Sequence, residues 1–187
     1  HEGSREWGRA TAEGEIEEYT DYREMLEKAP VDAVIVATPN FTHKAVLGDI
    51  FETKLHVLCE KPLCTTFEDA KAAAERAKTH EGVFWVGMEY RFMPPVTRFV
   101  EEVHGGVAGK LKMFAIREHR YPFLQKVDDW NRFSRNTGGT LVEKSCHYFD
   151  MMRHVVQSEP VRVYASGGQD VNHLDETYDG ETPDILD

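Results

Sequence analysis

The chain has 187 residues, 41% hydrophobic and 29% charged, which is ordinary for a globular protein with one sizeable core or two small ones. Against 22 Lys and Arg stand 33 Asp and Glu, a formal net charge of -11 that repels phosphate backbones and anionic lipid, so neither nucleic acid nor a membrane surface is expected as a partner. No apolar run approaches the roughly 20 residues of a bilayer-spanning helix, the polar opening HEGSREWGRATAEGEIEE has no signal-peptide core, and a cytoplasmic location is the expectation.

In chain order, Asp21-Tyr22-Arg23-Glu24 opens a helix. Val31 to Ala37 follows as a near-continuous β-branched run, the pattern of a strand covered on both faces, and it breaks at Thr38-Pro39-Asn40. Leu55 to Cys59 repeats the strand pattern and breaks at Glu60-Lys61-Pro62. Thr65-Thr66-Phe67-Glu68 fits a capping box ahead of an alanine-rich helix that reaches Lys78, and Gly82 lies just past its end. Val83 to Val86 is a third strand, before Gly87. Strands alternating with helices imply βαβ units and a parallel sheet, which brings the TPN and EKP turns to one edge, the edge where open α/β sheets bind ligands.

After Met93-Pro94-Pro95 the pattern changes. Leu111 to His119 and Val161 to Ala165 alternate as half-exposed strands, which suggests a second, α+β domain. Between them Tyr121 to Thr137 is irregular, and a helix from Leu141 to Val156 follows Gly138-Gly139. The expected boundary divides residues 1–93 from 94–187. Three cysteines, Cys59, Cys64 and Cys146, have no metal-ligand pairing and read as free thiols of a reducing compartment.

Glu143, His147, Asp150 and His154 recur along one face of that last helix, open to three readings: a solvated face, a Glu/His acid-base pair, or a metal site. The metal reading lacks a three-ligand spacing, because Cys146 and His147 are adjacent and point in different directions, and no metal is expected. Lys61, ending a buried strand, is either a surface cation or a site residue. Pro62 after it holds it extended, with a trans or a cis bond.

Glu60-Lys61-Pro62 after a strand, Ala37-Thr38-Pro39-Asn40 upstream, and Gly138-Gly139-Thr140-Leu141-Val142-Glu143-Lys144-Ser145-Cys146-His147-Tyr148-Phe149-Asp150 resemble, in order and spacing, the Gfo/Idh/MocA oxidoreductases. Arg91-Phe92 after Gly87 and Asp129-Trp130 before the double glycine resemble that family too. The resemblance implies an α/β fold: a partial Rossmann-type parallel sheet, followed by part of an α+β domain with a mostly antiparallel open sheet. It also implies NAD or NADP as cofactor, a small polyol substrate and a homo-oligomeric parent.

By the same resemblance Lys61 touches substrate and cofactor, and His147 takes the hydroxyl proton as hydride passes to the nicotinamide. Glu143 stands where the family has Asp. Thr38, Pro39, Asn40, Glu60 and Lys61 would line the cofactor, with His43 close by, while Arg91, Trp130 and Arg132 would face substrate. Lys144 beside Glu143 departs from the small or apolar residue expected and receives no role. The Asp-to-Glu change favours an alternative, a non-catalytic sugar- or nucleotide-binding sensor or scaffold.

No G-x-G-x-x-G occurs in the chain. That loop cradles the dinucleotide pyrophosphate. The expectation is therefore a piece of a longer dehydrogenase, beginning after the loop, ending inside the second domain, and binding NAD(P) weakly or not at all on its own.

Overall fold

The computed structural model describes residues 2–119 and 121–185. The chain divides into two units, one up to Asp32 and one from Ala33. The first holds helices α1 (Glu2–Thr11) and α2 (Tyr22–Lys28), neither with a buried residue. α2 begins where the sequence predicts: the Asp21 carboxylate accepts from the Arg23 amide at 2.9 Å, satisfying one of the orphan donors of a helix start.

In the second unit, β1 (Ala33–Val36), β2 (His56–Cys59) and β3 (Phe84–Val86) form a parallel sheet in the order β1-β2-β3. The crossovers carry α3 (His43–Ile50) and α4 (Phe67–Ala77). The N-cap of α4 is Thr66, whose hydroxyl accepts from the Asp69 amide at 3.2 Å, one residue later than the box predicts. Gly82 is needed for space, since a Cβ there would lie 2.3 Å from the Leu55 carbonyl oxygen where the chain turns into β3.

Val34, Val36, Val57 and Cys59 are buried, as are Val46, Leu47 and Ile50 of α3. The alternate residues Ile35, Leu58 and Trp85 stand side by side in register and stay exposed, Ile35 by 73%. The expectation of strands covered on both faces is thus corrected. β-branched residues tolerate either face of a pleat, so an unbroken run does not report how many faces have a partner.

α5 (Pro94–His104) starts on two prolines, residues that suit a first helical turn because they lack the donor that has no partner there. Val100 of α5 packs with Met151 and Val155 of α8 (Cys146–Val156), and Leu111, Phe114 and Ile116 lean on this cluster. Residues 111–119 and 161–165, read as strands, carry no ladder among the described residues, so no antiparallel sheet forms there. Alternation specifies an inward face, and Phe114 and Ile116 use theirs; a ladder also requires a neighbouring backbone, which neither segment supplies to the other.

The helix expected from Leu141 to Val156 is two: α7 (Thr140–Glu143), and α8, with Lys144 and Ser145 between. Before them the short α6 (Ser134–Thr137) ends on Gly138 in the left-handed region, φ 84°. A Cβ on Gly138 would lie 2.7 Å from both the Thr65 carbonyl oxygen and the Val142 side chain. The double glycine thereby lets the approach to α7 press against the loop that follows EKP.

Candidate active site

The TPN and EKP turns meet at the carboxyl edge of the sheet, and His43 joins them. It is fully buried, with Nδ1 2.9 Å from the Pro62 carbonyl oxygen and Nε2 3.0 Å from that of Thr38. Its place is behind the site, coupling both loops, rather than on a ligand-facing surface. Thr42 Oγ1 lies 2.7 Å from both Thr38 Oγ1 and the Pro39 carbonyl oxygen, which holds the first turn closed. The Lys61-Pro62 bond is cis. Glu60 sits at the mouth of the edge against Gly87, where a Cβ would contact its carboxylate at 3.4 Å.

Lys61, Asn40 and Glu143, far apart in the chain, converge here. The Lys61 ammonium donates to the Glu143 backbone carbonyl at 2.9 Å and lies 3.7 Å from its carboxylate, whose other oxygen accepts from the Asn40 amide. The Lys61 side chain is thus held against α7 by these two contacts. Trp130 reaches the same turn, its ring edge-on to Phe41 with centroids 6.3 Å apart.

His147, on the first turn of α8, is 2% exposed. Its Nε2 lies 3.5 Å from Glu89 Oε1, and its buried Nδ1 has no hydrogen-bond partner. Burial holds its pKa below the ordinary histidine value; Glu89 and Asp150 pull the other way, and the ammoniums of Lys61 and Lys144 lower it further. The result is a neutral imidazole at neutral pH, carrying one lone pair available to take a proton.

The break after α7 takes Glu143 out of the stripe that one continuous helix would give, while His147, Asp150 and His154 remain on one face of α8. Asp150 accepts two hydrogen bonds from the Arg91 guanidinium, which raises the arginine pKa still further. Arg132, 4% exposed, donates to the Phe123 carbonyl at 2.8 Å and to Tyr178 Oη at 3.1 Å, and pairs with Glu176 at 3.1 Å. Both arginines are held by internal partners. Sequence reading missed Tyr90, whose ring lies parallel to His147, 7° between planes and 4.2 Å between centroids, and it gave Lys144 no role. The break between α7 and α8 that places Lys144 has no helix-breaking residue to announce it.

Among the described residues no group of three or more His, Cys, Asp or Glu lies close enough together to hold a metal ion. For a nicotinamide the residues present do fit. An oriented ammonium, an amide and an unpartnered buried imidazole nitrogen gather at the carboxyl edge of a parallel sheet.

Residues 3–88 match an oxidoreductase family described as an NAD-binding Rossmann fold, and residues 100–183 match the C-terminal alpha/beta domain of that family. A myo-inositol 2-dehydrogenase of Thermotoga maritima is 31% identical over 149 residues, covering 80% of this chain and 43% of its own length. A 2,7-anhydro-N-acetylneuraminate hydratase of Mediterraneibacter gnavus is 28% identical over 167 residues, covering 89% and 44%. The crystal structure of an inositol dehydrogenase homolog from Azotobacter vinelandii, complexed with NAD+, superposes with TM-score 0.62 at 30% identity over 74% of this chain and 39% of that one. The chain spans less than half the length of the curated relatives it matches. With both domain matches running through most of its length, the chain belongs to the Gfo/Idh/MocA oxidoreductase family.

Proposed function

We propose that the whole protein in which these residues form the site transfers a hydride between NAD or NADP and a secondary alcohol of a sugar, cyclitol or related polyol. The observation that carries the reading is the convergence of Lys61, Asn40, Glu143 and a buried, neutral His147 at the ligand edge of a parallel sheet. In this reading the dinucleotide part extends to residue 93 and the substrate part begins at 94. The bound nicotinamide supplies the hydride acceptor.

The protein's own residues handle the proton and the charge. His147, neutral and partly freed from hydrogen bonding, takes the hydroxyl proton. The Lys61 ammonium, aimed by the Glu143 carbonyl, faces the oxygen on which negative charge grows and stabilises it. Glu143 orients Lys61 and Asn40, and its remaining acceptor capacity suits a substrate hydroxyl. Thr38, Pro39 and Asn40 line the cofactor side, with Trp130 covering the TPN turn. His43 and Arg132 act from behind, holding loops, and Arg91 is tied to Asp150 of α8 with part of its side chain still exposed.

The test, on the full-length parent, is turnover of NAD+ and NADP+ over a panel of inositols and sugars, with product analysis that also detects addition or loss of water. His147→Asn is expected to lower kcat/KM by about 10²- to 10⁴-fold. Near wild-type turnover in that variant sinks the assignment. Cofactor binding with no turnover on the whole panel moves the reading to a sugar- or nucleotide-binding sensor.

A further inference from the structure

His147 is the proton-transfer group of the reading above, yet hydrogen bonds do little to fix its ring: Nδ1 has no partner and Nε2 stands 3.5 Å from Glu89. An imidazole abstracting a proton must point its lone pair at the donor, so something else has to set its plane. The Tyr90 ring does so by lying flat against it, centroids 4.2 Å apart and planes 7° from parallel.

Tyr90 is in turn fixed at its far end. The Lys144 ammonium donates to the Tyr90 hydroxyl, lies 4.9 Å from the ring centroid, and is backed by Glu118 Oε1 at 3.5 Å. Lys144 occupies the break between α7 and α8, one residue after Glu143 and three before His147. Its own amide bonds the Thr140 carbonyl at 2.9 Å, which anchors it to α7.

We propose that Tyr90 and Lys144 are a pair of positioning residues for His147: the tyrosine ring sets the plane of the imidazole, and the lysine, bonded to the tyrosine hydroxyl, holds that ring in place and sets the local charge. The proposal rests on the proposed function, and it accounts for a lysine that the sequence left without a role. The charges facing His147 are Glu89 from the turn carrying Tyr90, Lys61 from the EKP turn, Lys144 from the helix break, and Asp150 from α8 itself. Asp150 is held by Arg91, Lys61 by Glu143 and Lys144 by Glu118, so removing Lys144 takes away a cation near His147 and also the charge that offsets Glu118, two changes that act on the imidazole in the same direction. An added positive charge near an imidazole opposes its protonation, which favours the form that accepts a proton.

The test reads the imidazole directly by proton NMR of the whole chain, which has nine histidines, the His147 signals being identified by their loss in His147→Gln. In wild type the His147 ring protons are expected upfield, under the ring current of Tyr90. Tyr90→Leu should abolish that displacement, and Tyr90→Phe, which keeps the ring but loses the hydroxyl that Lys144 bonds, should reduce it. Lys144→Met should raise the titration midpoint of His147, and Lys144→Arg should leave it near wild type. The other eight histidines report whether a variant is folded. Unchanged ring shifts in folded Tyr90→Leu, or an unchanged midpoint in Lys144→Met, overturn the proposal. If Tyr90→Leu fails to fold, Lys144→Met against Lys144→Arg decides alone. None of these readings needs turnover, so an inactive protein with a coupled Tyr90, Lys144 and His147 refutes the proposed reaction and not the positioning.

Discussion

Two buried side chains show how differently single residues serve this site. Arg132 is a strut: its guanidinium ties the Phe123 carbonyl, Tyr178 and Glu176 into one cluster with almost no exposure. Arg132→Met removes a charge that its partners require and leaves a carbonyl and a carboxylate behind; urea unfolding should show a loss of about 3 kcal/mol. His147 instead couples to pH. Its folded pKa lies below the ordinary value near 6.5. The unfolded chain therefore binds the proton first as pH falls. Its contribution to stability is complete above the unfolded pKa and is lost as pH drops from there through the folded pKa. Between pH 7.5 and 5.5 the wild type should lose more stability than His147→Gln, and equal losses in urea titrations would contradict the burial described. The acid limb of a pH-rate profile should likewise fall below 6.5, because only the neutral ring accepts a proton.

At the scale of elements, the turns and breaks carry the site more than the regular pieces do. Gly138 allows α7 to approach Thr65 because it has no Cβ and adopts φ 84°. Gly138→Ala meets both obstacles, backbone strain and a 2.7 Å contact, and should cost roughly 2 kcal/mol or more in chemical denaturation. It should also weaken cofactor or substrate binding, since Glu143 would move with α7. Thr66→Ala removes the α4 cap alone, at about 1 kcal/mol and without effect on ligand affinity. Comparing the two in one denaturation and binding series separates an element that positions the site from one that only closes a helix. The capping signals were legible in the sequence because a cap is a local hydrogen bond between neighbours. The break after Glu143 was not, because Lys144 and Ser145 are tolerable helix residues and it is contacts with Tyr90 and Glu118 that hold Lys144 elsewhere.

For the whole molecule, burial sets the reactivity of two of its thiols, Cys59 on β2 and Cys64 in the loop after it. Cys59 and Cys64 are buried, their pKa values pushed up to about 12 and about 11 mainly by desolvation. A disulfide-exchange reagent at pH 8 should label them in the folded protein far more slowly than in urea, and equal rates in both states would mean the core is open. What the sequence determined by itself was the order of the three parallel strands with α2 before and α4 among them, the TPN and EKP turns sharing one edge, and the residue types available there. These follow from periodicity, from proline and glycine, and from the parallel handedness of βαβ units. The tertiary structure alone decided that Asn40, Lys61 and Glu143 bond one another, that Arg91 pairs with Asp150 while Arg132 is buried, that His43 joins two loops from behind, and that Tyr90 and Lys144 attend His147. Residue spacing encodes which face of an element a side chain occupies, whereas the partner on the other side comes from a distant segment, through packing that no local pattern records.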